Sequence, residues 1–151
     1  MVRVAVVALV LAAWYLPAAR DALLKGQTHL AGHTLVNALG LALCALGVGL
    51  AIVARAYLGR NWGVPMSRKE DPDLVTTGPY RFVRHPIYAG ALLAMLGSAL
   101  AQTLFWVVPL VVFGIYFLYS ARREEQLMAT QFPGEYPAYR KRTKMLVPFV
   151  F

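Results

Sequence analysis

An all-α, polytopic membrane helix bundle is the fold this sequence predicts, and three observations predict it. The 151 residues are 59% hydrophobic and only 15% charged, with a mean hydropathy of +0.55, a combination foreign to disordered chains and to most soluble domains. Residues 4–19, 26–54 and 85–121 contain no Asp, Glu, Lys or Arg. The basic residues cluster between and beyond these stretches instead of being spread along the chain.

A helix needs about 20 mostly apolar residues to cross the hydrocarbon layer. The first span is placed at about 2–19, with Trp14 and Tyr15 as interfacial anchors at its end. Pro17-Ala18-Ala19 after an apolar stretch also resembles a signal-peptide cleavage site, but the aromatic pair suits a retained span. The second span is placed at about 33–55. The run 85–121 is too long for one helix, so it is divided at Gln102 and Thr103 into spans at about 86–101 and 103–120. Four short helices and a cytoplasmic segment, 121–151, then make one domain, 1–151, with a cytoplasmic pocket formed by the loop before the third span and the C-terminal extension.

Orientation follows from charge, because Lys and Arg are retained on the cytoplasmic side. With four spans, thirteen of the fifteen basic residues share one side and only Arg20 and Lys25 fall on the other. Both termini are therefore expected in the cytoplasm, with the inner membrane as the site. The net charge of +8 is explained without nucleic acid, and membrane lipids with anionic headgroups become a partner. The lone Cys44 lies within an apolar run, allows no intrachain disulfide, and reads as a core filler.

The stretch from Gly59 to Arg84 is the longest polar interruption, and loops of that length usually carry function. Pro86 suits the first position of a helix, where its missing N–H costs nothing. His85 then stands at the helix mouth, beside unpaired N–H groups that attract an anion. After the fourth span nothing breaks the helix before Pro133, so it continues outward and brings Glu124 and Glu125 to the depth of His85. The remainder, from Glu135, is expected to fold back as a lid.

Two stretches carry a resemblance. Leu74-Val75-Thr76-Thr77-Gly78-Pro79-Tyr80, followed by Arg84-His85-Pro86-Ile87-Tyr88-Ala89-Gly90, resembles the first signature of the isoprenylcysteine carboxyl methyltransferase family. Glu124-Glu125, Phe132, Glu135-Tyr136, Tyr139, Lys141-Arg142 and Pro148-Phe149 resemble its C-terminal signature. The likeness covers about residues 58–151. The chain departs from it at Phe132-Pro133-Gly134 and at Thr143-Lys144, where a Val-Pro often stands. The resemblance implies an integral membrane enzyme that moves a methyl group from S-adenosylmethionine to a lipophilic acceptor entering from the bilayer. It implies that Pro79, Tyr80, Arg84, His85, Pro86, Tyr88 and Gly90, with Glu124 or Glu125, form the cofactor pocket.

The side-chain chemistry agrees with that implication. S-adenosylmethionine carries a carboxylate, an ammonium and a sulfonium, so its cradle needs an anion site, a carboxylate and an aromatic or apolar wall. His85 with Pro86 and Arg84 offers the first, Glu124 or Glu125 the second, Tyr80 and Tyr88 the third. Methyl transfer from a sulfonium is an in-line displacement that needs alignment and dryness more than acid-base machinery. A carboxylate acceptor needs only orientation, for which Arg142 or Arg81 is the candidate. A thiol or amine must lose a proton, for which His85 is the candidate base.

Each residue also has a plainer reading. Arg81 and Arg84 serve as topology residues, Tyr80 and Tyr88 as interfacial aromatics, and Arg140 and Lys141 as headgroup contacts. One of the two glutamates is expected to be neutralised by Arg122 and Arg123 as an exposed charge cluster. His29, His33 and Asn37 share a helix face, where interhelical hydrogen bonds are favoured over a metal and no metal site is assigned. Gly90, Ala94 and Ser98 read as a close helix contact. Two rival functions stand: a nicotinamide-dependent reductase of the membrane sterol reductase type, which is similar in its Arg-His-Pro and tyrosine element, and a non-catalytic membrane adaptor.

Overall fold

The structure, a computed structural model, describes residues 34–61, 73–102 and 106–148. Among the described residues there are four α-helices: α1, Thr34–Leu58; α2, Pro86–Ala101; α3, Val107–Gln131; and α4, Tyr136–Arg142. Short 3-10 turns at Gly59–Asn61 and Gly78–Arg81 punctuate the polar segments. Among the described residues there is no strand, only an isolated parallel bridge between Val83 and Lys144. The first expected span, at about 2–19, lies outside the described residues, as do His29 and His33.

The stretch Thr34–Asn61, which holds α1, is long and apolar enough to cross a membrane. Leu35, Leu41 and Ile52 are well exposed, at 84%, 68% and 64%, part of an outward apolar face that lipid tolerates and water does not. The helix runs three residues beyond the expected end at 55. Arg55 sits in its last turn, where the dipole favours a cation, and donates from Nη1 to the Gly59 carbonyl at 3.1 Å. Gly59 stops the helix with φ +51°.

Helix α2 occupies the expected span 86–101, opened by Pro86 at its first position. Helix α3 begins at Val107, four residues later than expected, with Pro109 in its first turn, where a missing N–H is tolerated. It then continues past Ser120 through the charged residues to Gln131, since its next helix breaker is Pro133.

Tertiary contacts divide the chain into two units. The first joins the chain up to Ala45 with Leu92–Tyr116. Here α1 and α2 meet through bare backbone: a Cβ on Gly97 would fall 2.5 Å from the Gly40 carbonyl oxygen, and one on Gly40 2.6 Å from the Ala101 nitrogen. Cys44 Sγ and Ser98 Oγ lie 3.6 Å apart in the same contact, while Ser98 Oγ donates to the Ala94 carbonyl at 3.0 Å.

The second unit joins Leu46–Ala91 with Phe117–Phe151. Gly90 is buried against α1, where an added Cβ would come 2.6 Å from the Gly47 oxygen. The residues ahead of α2 pair with the segment after α4: Lys144 N–H donates to Phe82 O at 3.3 Å, Arg84 N–H to Lys144 O at 2.8 Å and His85 N–H to Met145 O at 3.1 Å. Tyr80, Val83, Tyr136, Tyr139 and Leu146 fill the core beneath this pairing. The segment after Pro133 therefore folds back onto the entrance to α2, and the anion-attracting N–H assigned to His85 is bonded to the chain's own carbonyl.

Candidate active site

Arg84, His85, Tyr88, Glu124 and Glu125 all belong to the second unit. Pro86 starts α2 and thereby aims the two preceding side chains, Arg84 and His85, at the flank of α3. There Glu124 and Glu125 leave the helix about 100° apart. Both point inward, while Arg122 and Arg123 are exposed and Arg123 pairs with Gln126 at 3.4 Å. The expectation that one glutamate would be an exposed partner of Arg122 and Arg123 is thus corrected: α3 presents its arginines outward and its carboxylates to the start of α2.

The two carboxylates have different surroundings. Glu125, 5% exposed, accepts from Arg84 Nε at 2.6 Å, lies 3.4 Å from Arg140 Nε and 3.6 Å from His85 Nε2. Glu124, 24% exposed, accepts from Tyr88 Oη at 2.6 Å and lies 3.5 Å from His85 Nδ1. The imidazole is therefore flanked by one carboxylate on each side. Its Nε2 is buried and has no hydrogen-bond partner, a costly state unless something else meets it. The rings of His85, Tyr88 and Phe117 stack in a column, with centroids 5.5 Å and then 4.6 Å apart.

Titration follows from this geometry. Burial pushes the His85 pKa down, but the carboxylates of Glu124 and Glu125 on either side of the ring outweigh it, so the pKa is raised above the ordinary histidine value. Burial pushes Glu125 up, and His85 and Arg84 more than reverse this, leaving its carboxyl below the usual range. Both ring nitrogens of His85 thus face carboxylates, which favour its charged form. Burial raises Tyr139 to about 12 and lifts Tyr80 and Tyr136 well above the usual phenol range, so all three stay neutral.

The remaining candidates separate by position. The Arg84 guanidinium is already held, with Nη1 donating to Thr143 O at 2.5 Å and Arg140 O at 3.3 Å besides its Glu125 bond. Its charge is neutralised inside the chain. Tyr80 is buried, with Pro79 beside it in the 3-10 turn, and Pro86 is fully buried. Gly90 packs on Gly47 and Ala51. Arg81 and Arg142 are exposed and lie over the Phe82 and Tyr139 rings at 5.1 and 5.6 Å. The turn before Arg84 depends on Gly78, with φ +58° and the Tyr57 ring 2.5 Å from where a Cβ would stand. Sequence reasoning missed Phe117, which completes the ring column, and Thr143, visible only as a departure from the resembling signature. Among the described residues no group of three or more His, Cys, Asp or Glu is placed to hold a metal ion.

The family model described as phospholipid methyltransferase matches residues 35–135, from the start of α1 to just beyond α3. The chain belongs to this family. It is 36% identical over 129 residues to the cobalt-zinc-cadmium resistance protein CzcN of Cupriavidus metallidurans, covering 83% of this chain and 56% of that protein. It is 30% identical over 122 residues to protein-S-isoprenylcysteine O-methyltransferase B of Arabidopsis thaliana, covering 78% of this chain and 62% of that one. Its fold is similar to the solved eukaryotic intramembrane Ras methyltransferase ICMT, isoprenylcysteine carboxyl methyltransferase, with a TM-score of 0.70 at 24% identity over 99% of this chain and 51% of that chain. The chain thus spans about half the length of the relatives it matches, and the resemblance drawn from residues 74–90 and 124–149 agrees with the family so found.

Proposed function

We propose that this phospholipid methyltransferase family member transfers the methyl group of S-adenosylmethionine to a lipophilic acceptor that enters from the bilayer. The observation that carries the reading is the convergence of Arg84, His85 and Tyr88 with Glu124 and Glu125, which leaves His85 Nε2 buried and unbonded. The residues fit the cofactor's chemistry. The His85 imidazole offers a donor to a carboxylate, Glu124 offers a carboxylate to an ammonium, and Tyr88 with Phe117 offers an aromatic wall. When bound, S-adenosylmethionine supplies an electrophilic methyl group. The chain's own part is to bind, align and exclude water.

Of the two glutamates, Glu124 is assigned to the cofactor and Glu125 to holding Arg84. Because both ring nitrogens of His85 already face carboxylates, an acceptor that arrives ionised and needs no base, such as an isoprenylcysteine-like carboxylate, suits the site better than a neutral thiol or amine. Relatives named for both chemistries exist, the isoprenylcysteine O-methyltransferases and methanethiol S-methyltransferase 1 of Bradyrhizobium diazoefficiens. Arg81 and Arg142, exposed on the same unit, are assigned to orient such a carboxylate. Four spans, cytoplasmic termini and an inner-membrane location complete the proposal, on the asymmetry of basic residues.

Thermal unfolding of the purified chain in detergent, with S-adenosylmethionine, its demethylated product or NADPH added, tests this. Stabilisation by the first two and not by NADPH is expected. In Glu124→Gln, affinity for the product should fall at least about tenfold, which is 1.4 kcal/mol. Stabilisation by NADPH alone would replace the reading with the reductase, and stabilisation by none of the three with the adaptor.

A further inference from the structure

The segment after α4 carries hydrogen bonds that cofactor binding does not require. Tyr139 Oη donates to the Tyr80 carbonyl at 2.7 Å, and Thr143 Oγ1 donates to the Tyr139 carbonyl at 2.7 Å. Arg84 Nη1 donates to the Thr143 carbonyl at 2.5 Å. Tyr80 belongs to the 3-10 turn that leads through Phe82 and Val83 to Arg84, so these contacts close a circuit that begins and ends on one short stretch of chain. Tyr139 and Thr143 are 4% and 3% exposed, which shields the circuit from water.

A guanidinium is a rigid planar fork, so fixing Nη1 fixes the direction in which Nε points. Here Nε points at Glu125 Oε1, the same oxygen that lies 3.6 Å from His85 Nε2. Thr143 is the residue that closes α4, with extended backbone at φ −121° and ψ 157°. Its hydroxyl donates to the Tyr139 carbonyl in the last turn of α4 and thereby sets where its own carbonyl lies. We propose that Thr143 and Tyr139 are positioning residues: their hydroxyls set the angle of the Arg84 guanidinium and, through it, the placement of Glu125 beside His85. The functional meaning of that placement rests on the methyl-transfer reading above.

A purely stabilising role would cost unfolding free energy and leave His85 alone. A positioning role moves the imidazole's charge equilibrium, because a carboxylate drawn away from an imidazole lowers its pKa. The groups facing His85 are Glu124 and Glu125 from α3, Tyr88 from α2 and the adjacent Arg84, with Arg140 of α4 reaching it through Glu125. None of these is altered by changing Thr143 or Tyr139.

The test uses the full chain in detergent with isotope-labelled histidine. The chain has three histidines, His29, His33 and His85, and the His85 signal is the one lost in His85→Gln. Thr143→Val, which keeps the shape and removes the hydroxyl, and Tyr139→Phe should each move the His85 titration midpoint downward. Thr143→Ser should restore it. An unchanged midpoint in Thr143→Val and Tyr139→Phe, with only a lower unfolding temperature, overturns the proposal. If Thr143→Val does not fold, Tyr139→Phe decides alone. Failure of the wild-type chain to bind S-adenosylmethionine or its product would sink the methyl-transfer reading, whereas the titration still decides the positioning role.

Discussion

Around Gly97, in the unit that includes Leu92–Tyr116, two helices approach until backbone nearly touches backbone, and no charged side chain takes part. Around Arg84, in the unit that includes Phe117–Phe151, the contacts are charge-assisted hydrogen bonds between side chains and carbonyls 41 to 59 residues apart in sequence. The difference follows from the surroundings available to each. In hydrocarbon there is no hydrophobic gain in bringing helices together, so small residues that permit close dispersion contact hold them. Along the charged half of α3, buried charges are tolerated because each has a partner. Shape therefore limits the first region and charge pairing the second.

Three substitutions or conditions would break or sharpen that contrast. The largest effect is expected from Glu125→Ala, which strands the buried Arg84 and should cost about 3–5 kcal/mol of stability, read as a lower midpoint of chemical or thermal unfolding in detergent. A loss no larger than that of an exposed charge would show that the polar cluster is not held by pairing. Gly97→Val comes next. Its side chain would meet the backbone of Gly40 and Cys44, and overpacking of this kind should cost about 1–3 kcal/mol, measured in the same way. Tolerance of valine would show that the helices are further apart than described.

The smallest effect is the dependence of stability on pH. The His85 pKa is raised on folding, so its contribution is complete below the ordinary imidazole value and is lost as pH rises through the higher folded one. The Glu125 pKa is lowered, so its contribution is complete above the ordinary carboxylate value and is lost as pH falls through the lower folded one. Unfolding midpoints should be highest between weakly acidic and neutral pH and decline on both sides. In His85→Gln the alkaline decline should flatten while the acid limb remains.

Much of this was legible from composition and spacing. Pro86 and the Gln102-Thr103 pair bounded α2 to the residue, because a helix start needs a tolerated proline and the polar pair ended the apolar run. The absence of a breaker before Pro133 foretold that α3 would continue through Glu124 and Glu125. Which glutamate does what was not legible, since adjacent residues on a helix differ only by a rotation that packing sets. The pairing of Phe82–His85 with Lys144 and Met145 was equally hidden: backbone hydrogen bonds between distant segments leave no periodicity in side chains. Thr143 showed only as a departure from a signature, with no local pattern to say that its carbonyl would meet Arg84.

The parallel pairing of His85 with Met145 also sets an order of events during synthesis. Arg84 and His85 emerge from the ribosome some sixty residues before the carbonyls of Thr143, Lys144 and Met145 that receive their donors. A nascent chain in which α2 has formed consequently carries the Arg84 guanidinium without these acceptors until the residues after α4 have followed. Closure of the Arg84 cluster therefore waits on residues 140–145, and a chain halted between Gln131 and Arg140 would hold α2 and α3 without the carbonyls that fix the guanidinium.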